Sequence, residues 1–118
     1  MTQQLKQNVD ELNGMILEGK ILDAFDKFYA PNVVMQDNDL PVRTGFEENR
    51  KFEEAFVNGL TEFRGAQVLN TIYSDDVVAT EWAFDYTHKD WGVRNYRQIS
   101  IQRWKDGKIV EEKFYYNN

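Results

Sequence analysis

The chain has 118 residues, with 14 lysines and arginines against 20 acidic residues, one histidine and no cysteine. The absence of cysteine excludes disulfides, zinc–thiolate sites, iron–sulfur clusters and cysteine nucleophiles, and the lone His88 excludes a multi-histidine metal site. A net charge of −6 argues against nucleic-acid partners, because proteins gain that affinity largely by neutralising phosphates. We therefore expect no metal centre and no nucleic-acid partner.

The length and the hydropathy pattern limit the organisation of the protein. A chain of this size fits one core, so a single domain is expected over residues 1–118. The first 30 residues contain no apolar signal-peptide core, and no segment is long enough to span a membrane. The sequence therefore predicts a cytoplasmic protein without a membrane partner.

The first half of the chain carries a helical hydrophobic period. A helix is predicted over residues 21–29 and ended by Pro31, with a short strand at 33–35. Thr44 with Glu47 three positions later fits the capping box of a further helix. Apolar residues spaced by three or four predict the first helix of the chain: Leu5, Val9, Leu12 and Ile16.

The second half carries the pattern of strands. Residues 77–88 alternate strictly, which places every second side chain on the same face of a sheet. Strands are also predicted over residues 68–73, 94–104 and 109–116, joined by short turns. Helices followed by such strands indicate an α+β fold with an antiparallel sheet. One face of the alternating strand carries Val78, Thr80, Trp82, Phe84, Tyr86 and His88.

Four local features follow one another along residues 21–117. They are Phe28-Tyr29-Ala30-Pro31-Asn32-Val33-Val34, then Thr44-Gly45, then the strand from Trp82 to Thr87-His88, and finally Asp106-Gly107-Lys108-Ile109-Val110 leading to Phe114-Tyr115-Tyr116-Asn117. In this order and spacing they resemble the nuclear transport factor 2-like superfamily, and more closely its SnoaL-like branch.

The resemblance implies a cone-shaped, cystatin-like fold. Three N-terminal helices would pack on a strongly bent antiparallel sheet, leaving a pocket at the open end of the cone. Relatives of this kind include isomerases, cyclases, dehydratases and epoxide hydrolases that act on small, mostly apolar molecules, and also plain binding modules. For this chain the first hypothesis is an enzyme that works by proton transfer or water addition and needs no cofactor. The resemblance therefore implies a small apolar or amphipathic ligand, but the fold alone does not choose between an enzyme and a binder.

Aromatic side chains are the candidate walls of this pocket. Such walls suit a flat apolar ligand, although aromatic residues on a buried face are equally expected in a filled core. The candidate ligand-binding residues are Met35, Phe52, Phe56, Trp82, Tyr86 and Trp91.

Three side chains are the candidate acid–base groups. His88 has an ordinary pKa near neutrality, and its parity matches the pocket face. The resemblance adds Asp37, because an aspartate in this region is the base of ketosteroid-isomerase relatives, and Glu112, because a late-strand acid moves the proton in SnoaL-like cyclases. Each has a structural alternative: a solvated histidine, a turn aspartate, or a glutamate paired with Arg97 or Arg103.

The parity of the last strand is ambiguous, so the sequence leaves open which of two glutamates faces inward. Glu111 and Glu112 are neighbours, so only one of them can do so. The face that carries Val110, Phe114 and Tyr116 is the more apolar one. Glu112 lies on this face and is therefore the better inward candidate.

The strand over residues 94–104 is partly apolar on both faces. Tyr96 and Trp104 are opposite in parity to Ile99 and Ile101, so one face must meet something other than the core. We expect a homodimer through the outer face of the sheet. A dimerisation or scaffold module without any pocket is the third interpretation of the sequence.

Overall fold

Three helices and six strands follow one another in the computed structural model, which describes residues 3–117. No helix in this part of the chain is long and apolar enough to cross a membrane. The elements are α1 (Gln3–Leu17), α2 (Ile21–Phe28), β1 (Tyr29–Asp37), β2 (Arg43–Thr44), α3 (Phe46–Gly59), β3 (Leu60–Ser74), β4 (Val77–His88), β5 (Gly92–Lys105) and β6 (Lys108–Tyr116).

The strands form one open sheet in the order β2-β1-β6-β5-β4-β3. The α+β class is confirmed, and β3, β4, β5 and β6 pair antiparallel as expected, but β1 runs parallel to β6. The physical reason is connectivity: β3, β4, β5 and β6 follow one another as hairpins, whereas β1 reaches β6 only through a long crossover. The sheet is therefore mixed.

The sequence predictions for α1 and for the start of α3 have different outcomes. The predicted stripe on α1 is confirmed, with Leu5, Val9 and Leu12 buried and Ile16 partly buried against the core. The predicted capping box is wrong: Thr44 lies in β2, and its N–H donates to Glu48 Oε2 at 2.8 Å. The extended conformation of Thr44 moves the N-cap of α3 one residue on, to Gly45.

Irregular pairing bends the sheet around the helices. β3 begins eight residues earlier than the predicted 68–73 segment, and its pairing with β4 shifts register at three places. The pairing of β1 with β6 also shifts between Tyr29 and Val34, around Pro31, which has no N–H to donate to a ladder. Such bulges bend a strand and increase its twist, which produces the cone expected from the resemblance.

One end of the cone is filled with apolar side chains from α1, α2 and the sheet. The predicted inward face of β4 is confirmed, since Val78, Trp82, Tyr86 and His88 are buried. We call the packed region the filled end, and its members are Leu5, Val9, Leu12, Ala24, Phe25, Phe28, Tyr29, Val33, Met35, Val78, Trp104 and Ile109. Four of them also border the cavity described below: Leu12, Ala24, Phe25 and Tyr29.

Candidate functional site

Beyond the filled end, the inner face of the sheet borders a cavity of about 520 Å³. The volume lies within the range of small-molecule pockets, and most of the wall is apolar or aromatic. Along β4 the change is abrupt: Val78 packs in the core, whereas Trp82, Phe84 and Tyr86 line the cavity. Trp82 and Phe84 stack with ring centroids 5.3 Å apart, so this wall is a flat aromatic surface.

Five of the six candidate ligand-binding residues line the cavity. Met35 does not; it is 1% exposed, and its side chain is packed among the apolar residues of the filled end. The five that line the cavity are Phe52, Phe56, Trp82, Tyr86 and Trp91.

Glu112 projects from β6 into the cavity and is only 2% exposed. Tyr29 donates its hydroxyl to Oε1, while Ser100 Oγ and Gln102 Nε2 donate to Oε2 at 3.2 and 2.9 Å. The amide of Gln102 is oriented by Trp104, whose indole N–H donates to its Oε1 at 3.0 Å. Because an indole N–H can only donate, the Gln102 amide must present its NH₂ group to Glu112.

Burial raises the pKa of Glu112 to about 7, against the opposing effect of the hydrogen bonds from Tyr29, Gln102 and Ser100. Such a carboxyl exchanges a proton near neutral pH. Its inward orientation agrees with its place on the more apolar face of the strand, and Glu111 faces outward, 3.9 Å from Arg103. Ile109 is buried as well, although it has the opposite parity, because the pairing with β5 shifts register between Arg103 and Trp104. The alternative pairing of Glu112 with an arginine is not found among residues 3–117.

Glu53 on α3 is a second cavity carboxyl, and the sequence analysis missed it. Burial, followed by the charges of Glu112 and Asp37, raises the pKa of Glu53 to about 8, although Arg43 acts in the opposite direction. Within residues 3–117 its side chain has no hydrogen-bond or ion-pair partner. Glu53 lies four positions after the buried Asn49, on the face of α3 that packs inward, and only the structure identifies that face.

Asp37 also lines the cavity, at the end of β1. Its carboxylate accepts hydrogen bonds from Arg43 Nη2 at 3.0 Å and from the Tyr116 hydroxyl at 2.6 Å. Arg43 is fixed in turn by Asn49 Oδ1 at 3.1 Å and lies 3.7 Å over the ring of Phe52. Asp37 therefore belongs to a paired, oriented network, in contrast to Glu53.

Three tyrosines and Arg94 form a polar patch on the same wall. The hydroxyls of Tyr86 and Tyr96 are 2.9 Å apart, and the guanidinium of Arg94 lies 4.9 Å from the centroid of the Tyr96 ring. Burial raises the pKa of Tyr86, Tyr96 and Tyr116 above the ordinary value, so these phenols stay protonated and act as hydrogen-bond donors.

His88 is the candidate that the cavity does not include. The imidazole is buried, with 3% exposure, and is absent from the lining, where Trp91 and Phe56 stand instead. The structure thus brings Asp37 and Glu112 to one cavity together with Glu53, whereas His88 lies outside the cavity lining. No group of three or more histidine or acidic side chains within residues 3–117 is arranged to hold a metal ion.

The family of the chain follows from its sequence match and agrees with this geometry. The SnoaL-like domain family matches residues 10–112, which is most of the chain. The protein therefore belongs to the SnoaL-like domain family and has its nuclear transport factor 2-like fold. No curated protein matches the chain.

Solved structures share the fold at low sequence identity. A candidate SnoaL-like polyketide cyclase from Mesorhizobium loti is 24% identical, with a TM-score of 0.84, covering 98% of this chain and 100% of that one. A candidate isomerase from Bacillus subtilis is 17% identical, with a TM-score of 0.80 and coverage of 99% and 90%. A candidate hydroxylase from Streptomyces galilaeus is 17% identical, with a TM-score of 0.79 and coverage of 99% and 91%. These likenesses show the fold alone.

Proposed function

We propose that the protein is a cofactor-independent enzyme that moves a proton on a small apolar or amphipathic molecule bound in the cavity. The observation that carries this proposal is Glu112, a desolvated carboxyl in an aromatic cavity that is poised to exchange a proton near neutral pH. The names of the similar structures, which include a cyclase and an isomerase, are compatible with chemistry of this kind.

The cavity carboxyls of Glu112 and Glu53 have complementary roles in the proposed reaction. Hydrogen bonds from three donors favour the ionised form of Glu112, whereas Glu53 accepts no hydrogen bond within residues 3–117 and burial raises its pKa to about 8. In the proposed reaction Glu112 is the base that takes a proton from a substrate carbon, and Glu53 is the acid that donates one to a substrate oxygen. The paired Asp37 supplies a fixed negative charge beside them.

An activated carbon acid tests the proposed base without knowledge of the substrate. In 5-nitrobenzisoxazole, removal of the ring C–H proton breaks the N–O bond and gives a coloured cyanophenolate. We expect saturable turnover by the protein, rising with pH through about 7 as Glu112 ionises. Glu112→Gln should abolish it, whereas the outward-facing neighbour gives a matched control, Glu111→Gln, with unchanged turnover.

A binding module is the second candidate function, and one observation favours it. Both oxygens of Glu112 already accept hydrogen bonds from protein donors, which is a typical arrangement of a structural carboxylate. If 5-nitrobenzisoxazole reacts no faster with the protein than with free acetate, while the apolar dye N-phenyl-1-naphthylamine binds in the cavity, the binding module is correct and the enzyme proposal is wrong.

We also propose a homodimer through the outer face of the sheet, which carries exposed apolar side chains. In the register of β3, β4, β5 and β6, Ile72 and Ile101 lie in one cross-strand row, and Ile99 and Tyr115 pair in the next. Single exposed apolar residues are common, but a contiguous patch is typical of an interface. Light scattering should give a dimer mass that Ile101→Lys converts to a monomer mass; a wild-type monomer at micromolar concentration would contradict this.

A further inference from the structure

The end of β4, the turn after it and the end of α3 meet at one point beside the cavity. His88 pairs with Leu60 at the start of β3 and with Gly92 at the start of β5. The N–H of Lys89 donates to the carbonyl of Gly59 at 2.8 Å, which fastens the turn to the last residue of α3. The imidazole of His88 is thereby enclosed by elements from three parts of the chain.

Hydrogen bonding decides the tautomer of this imidazole. His88 Nδ1 accepts the N–H of Asp90 at 3.1 Å, so in the neutral ring the proton must be on Nε2. Nε2 is buried and has no hydrogen-bond partner within residues 3–117. A Cβ at Gly59 would lie 2.0 Å from Nε2, so only glycine leaves room for the ring at this position.

The ring of His88 stacks against Trp91 at the mouth of the cavity. The two rings stack with centroids 3.9 Å apart and an interplanar angle of 12°. Phe56 lies nearly parallel to both, with centroids 6.2 Å from His88 and 6.1 Å from Trp91. Trp91 lines the cavity although it is 51% exposed, so its indole stands between the cavity and solvent.

We propose that His88 is a positioning residue whose imidazole holds Trp91 as a gate at the cavity mouth. The proposal rests on the proposed function only in requiring that the cavity takes a small molecule. A ligand that passes the mouth must displace the indole from its stack, so the stack limits both entry and exit. His88 acts through Trp91, which explains how it can matter to the site without lining it. Gly59 is required for this arrangement, because its lack of a side chain leaves space for the imidazole.

The stacking of His88 on Trp91 can be tested without any ligand. Because His88 is the only histidine, one imidazole ¹⁵N spectrum reports its tautomer, and we expect the proton on Nε2. In protein labelled with 5-fluorotryptophan, His88→Ala should shift the ¹⁹F signal of Trp91 and leave those of Trp82 and Trp104 in place. The unmoved pair also shows that the variant is folded. An unshifted Trp91 signal, or a proton on Nδ1, overturns the proposal.

The gate is tested by stopped-flow binding of N-phenyl-1-naphthylamine, whose fluorescence rises in an apolar cavity. Losing one aromatic stack should raise both the association and the dissociation rate about fivefold, because opening becomes easier in both directions. We expect this for Trp91→Ala, His88→Ala and Gly59→Ala. Val93→Ala, an exposed change next to the same turn, should have the wild-type rates.

Three other outcomes of the dye-binding experiment would contradict part of the proposal. Faster exchange in Trp91→Ala but wild-type rates in His88→Ala overturns the positioning role. A change of the dissociation rate alone in Trp91→Ala makes the indole a wall and overturns the gate. If the dye does not bind the wild-type protein, the cavity of the proposed function fails, and the ¹⁹F shift alone then decides whether His88 positions Trp91.

Discussion

The filled end and the open end of the cone use the same strands for opposite purposes. On β4, Val78 is fully buried in the apolar core, whereas Tyr86 further along the same face contacts the cavity. On β6, Ile109 is core and Glu112 is a cavity carboxyl. The inner face of one sheet therefore packs against the core at one end and lines a cavity with buried carboxyls at the other. Stability and function are separated by position along a strand, not by element.

A short hydrogen-bond chain joins the two ends. The indole of Trp104 is packed in the filled end, stacks edge-on against Phe28, and orients Gln102. Gln102 then donates to Glu112 at the cavity. The core thus fixes the direction of the amide that the carboxyl meets, which is a way for rigid packing to hold a polar group in position.

The largest expected effect contrasts two tryptophans that are both 3% exposed. Trp104→Ala should lower the free energy of unfolding by about 4 kcal/mol, because it opens a hole among side chains that cannot collapse into it. Trp82→Ala should lower it by about 2 kcal/mol, since one face of Trp82 already borders the cavity and loses fewer contacts. Urea unfolding at one pH measures both.

The control for this pair is Ile72→Ala on the outer face of β3, where the side chain is 66% exposed. Its free energy of unfolding should stay within about 0.5 kcal/mol of wild type at a concentration where the protein is monomeric. Equal losses for the two tryptophan variants would show that the open end is packed as tightly as the filled end.

The carboxyls of the open end should make stability depend on pH. The folded protein holds protons on Glu112 and Glu53 up to about pH 7 and 8, whereas the unfolded chain releases them near the ordinary value of 4.5. Their stabilising contribution is therefore full below about pH 4.5 and is lost as the pH rises to about 8. The slope is at most about 1.4 kcal/mol per pH unit for each group.

Urea unfolding at pH 5, 6, 7 and 8 measures this loss. The double variant Glu53→Gln with Glu112→Gln should have a nearly flat profile across the window, and Glu111→Gln should keep the wild-type slope. Asp26, whose pKa is lowered by its hydrogen bonds to Arg50, acts in the opposite direction and only below its ordinary value of 3.8, so it does not mask the result. A wild-type protein that gains stability between pH 5 and 8 would contradict the desolvation of these carboxyls.

Sequence periodicity predicted the walls of the open end because alternation fixes which face of a strand a residue occupies. The inward positions of Trp82 and Tyr86 follow from parity, and that of Glu112 from the more apolar face of its strand. Parity cannot say how far along the cone a residue lies. Met35 and His88 have the correct parity, yet one packs in the filled end and the other stands behind Trp91.

Glu53, Asn49 and Arg43 were missed for a different reason. Polar residues in a helix are expected at its solvent face, and nothing in the local pattern of α3 indicates that a cavity lies beside it. The buried position of Asn49 depends on acceptors from β1 and β2, which the fold brings together only in three dimensions. The parallel β1–β6 pair was missed likewise, because it joins segments far apart in the chain.

Asn49 should be the most sensitive polar position near the open end. Its side chain is fully buried; Nδ2 donates to the carbonyls of Gly45, Arg43 and Val33, and Oδ1 accepts from Arg43. Asn49→Ala leaves these groups without partners and should cost about 2 kcal/mol in urea unfolding. The exposed asparagine at position 58 of the same helix provides the control, since Asn58→Ala should change stability by less than about 0.5 kcal/mol.

The smallest expected effect on stability comes from a matched pair of glycines, one at each end of the cone. Gly107 turns the chain at the filled end, and Gly92 turns it beside Trp91 at the mouth; their φ angles are 79° and 76°, and neither has a close neighbour where a Cβ would stand. Each change to alanine should therefore cost about 1 kcal/mol of stability, from backbone strain alone. Only Gly92→Ala should also alter the binding rates of N-phenyl-1-naphthylamine, because only that turn carries the gate. Altered rates in Gly107→Ala would mean that the two ends of the cone are coupled through β5 and do not act separately.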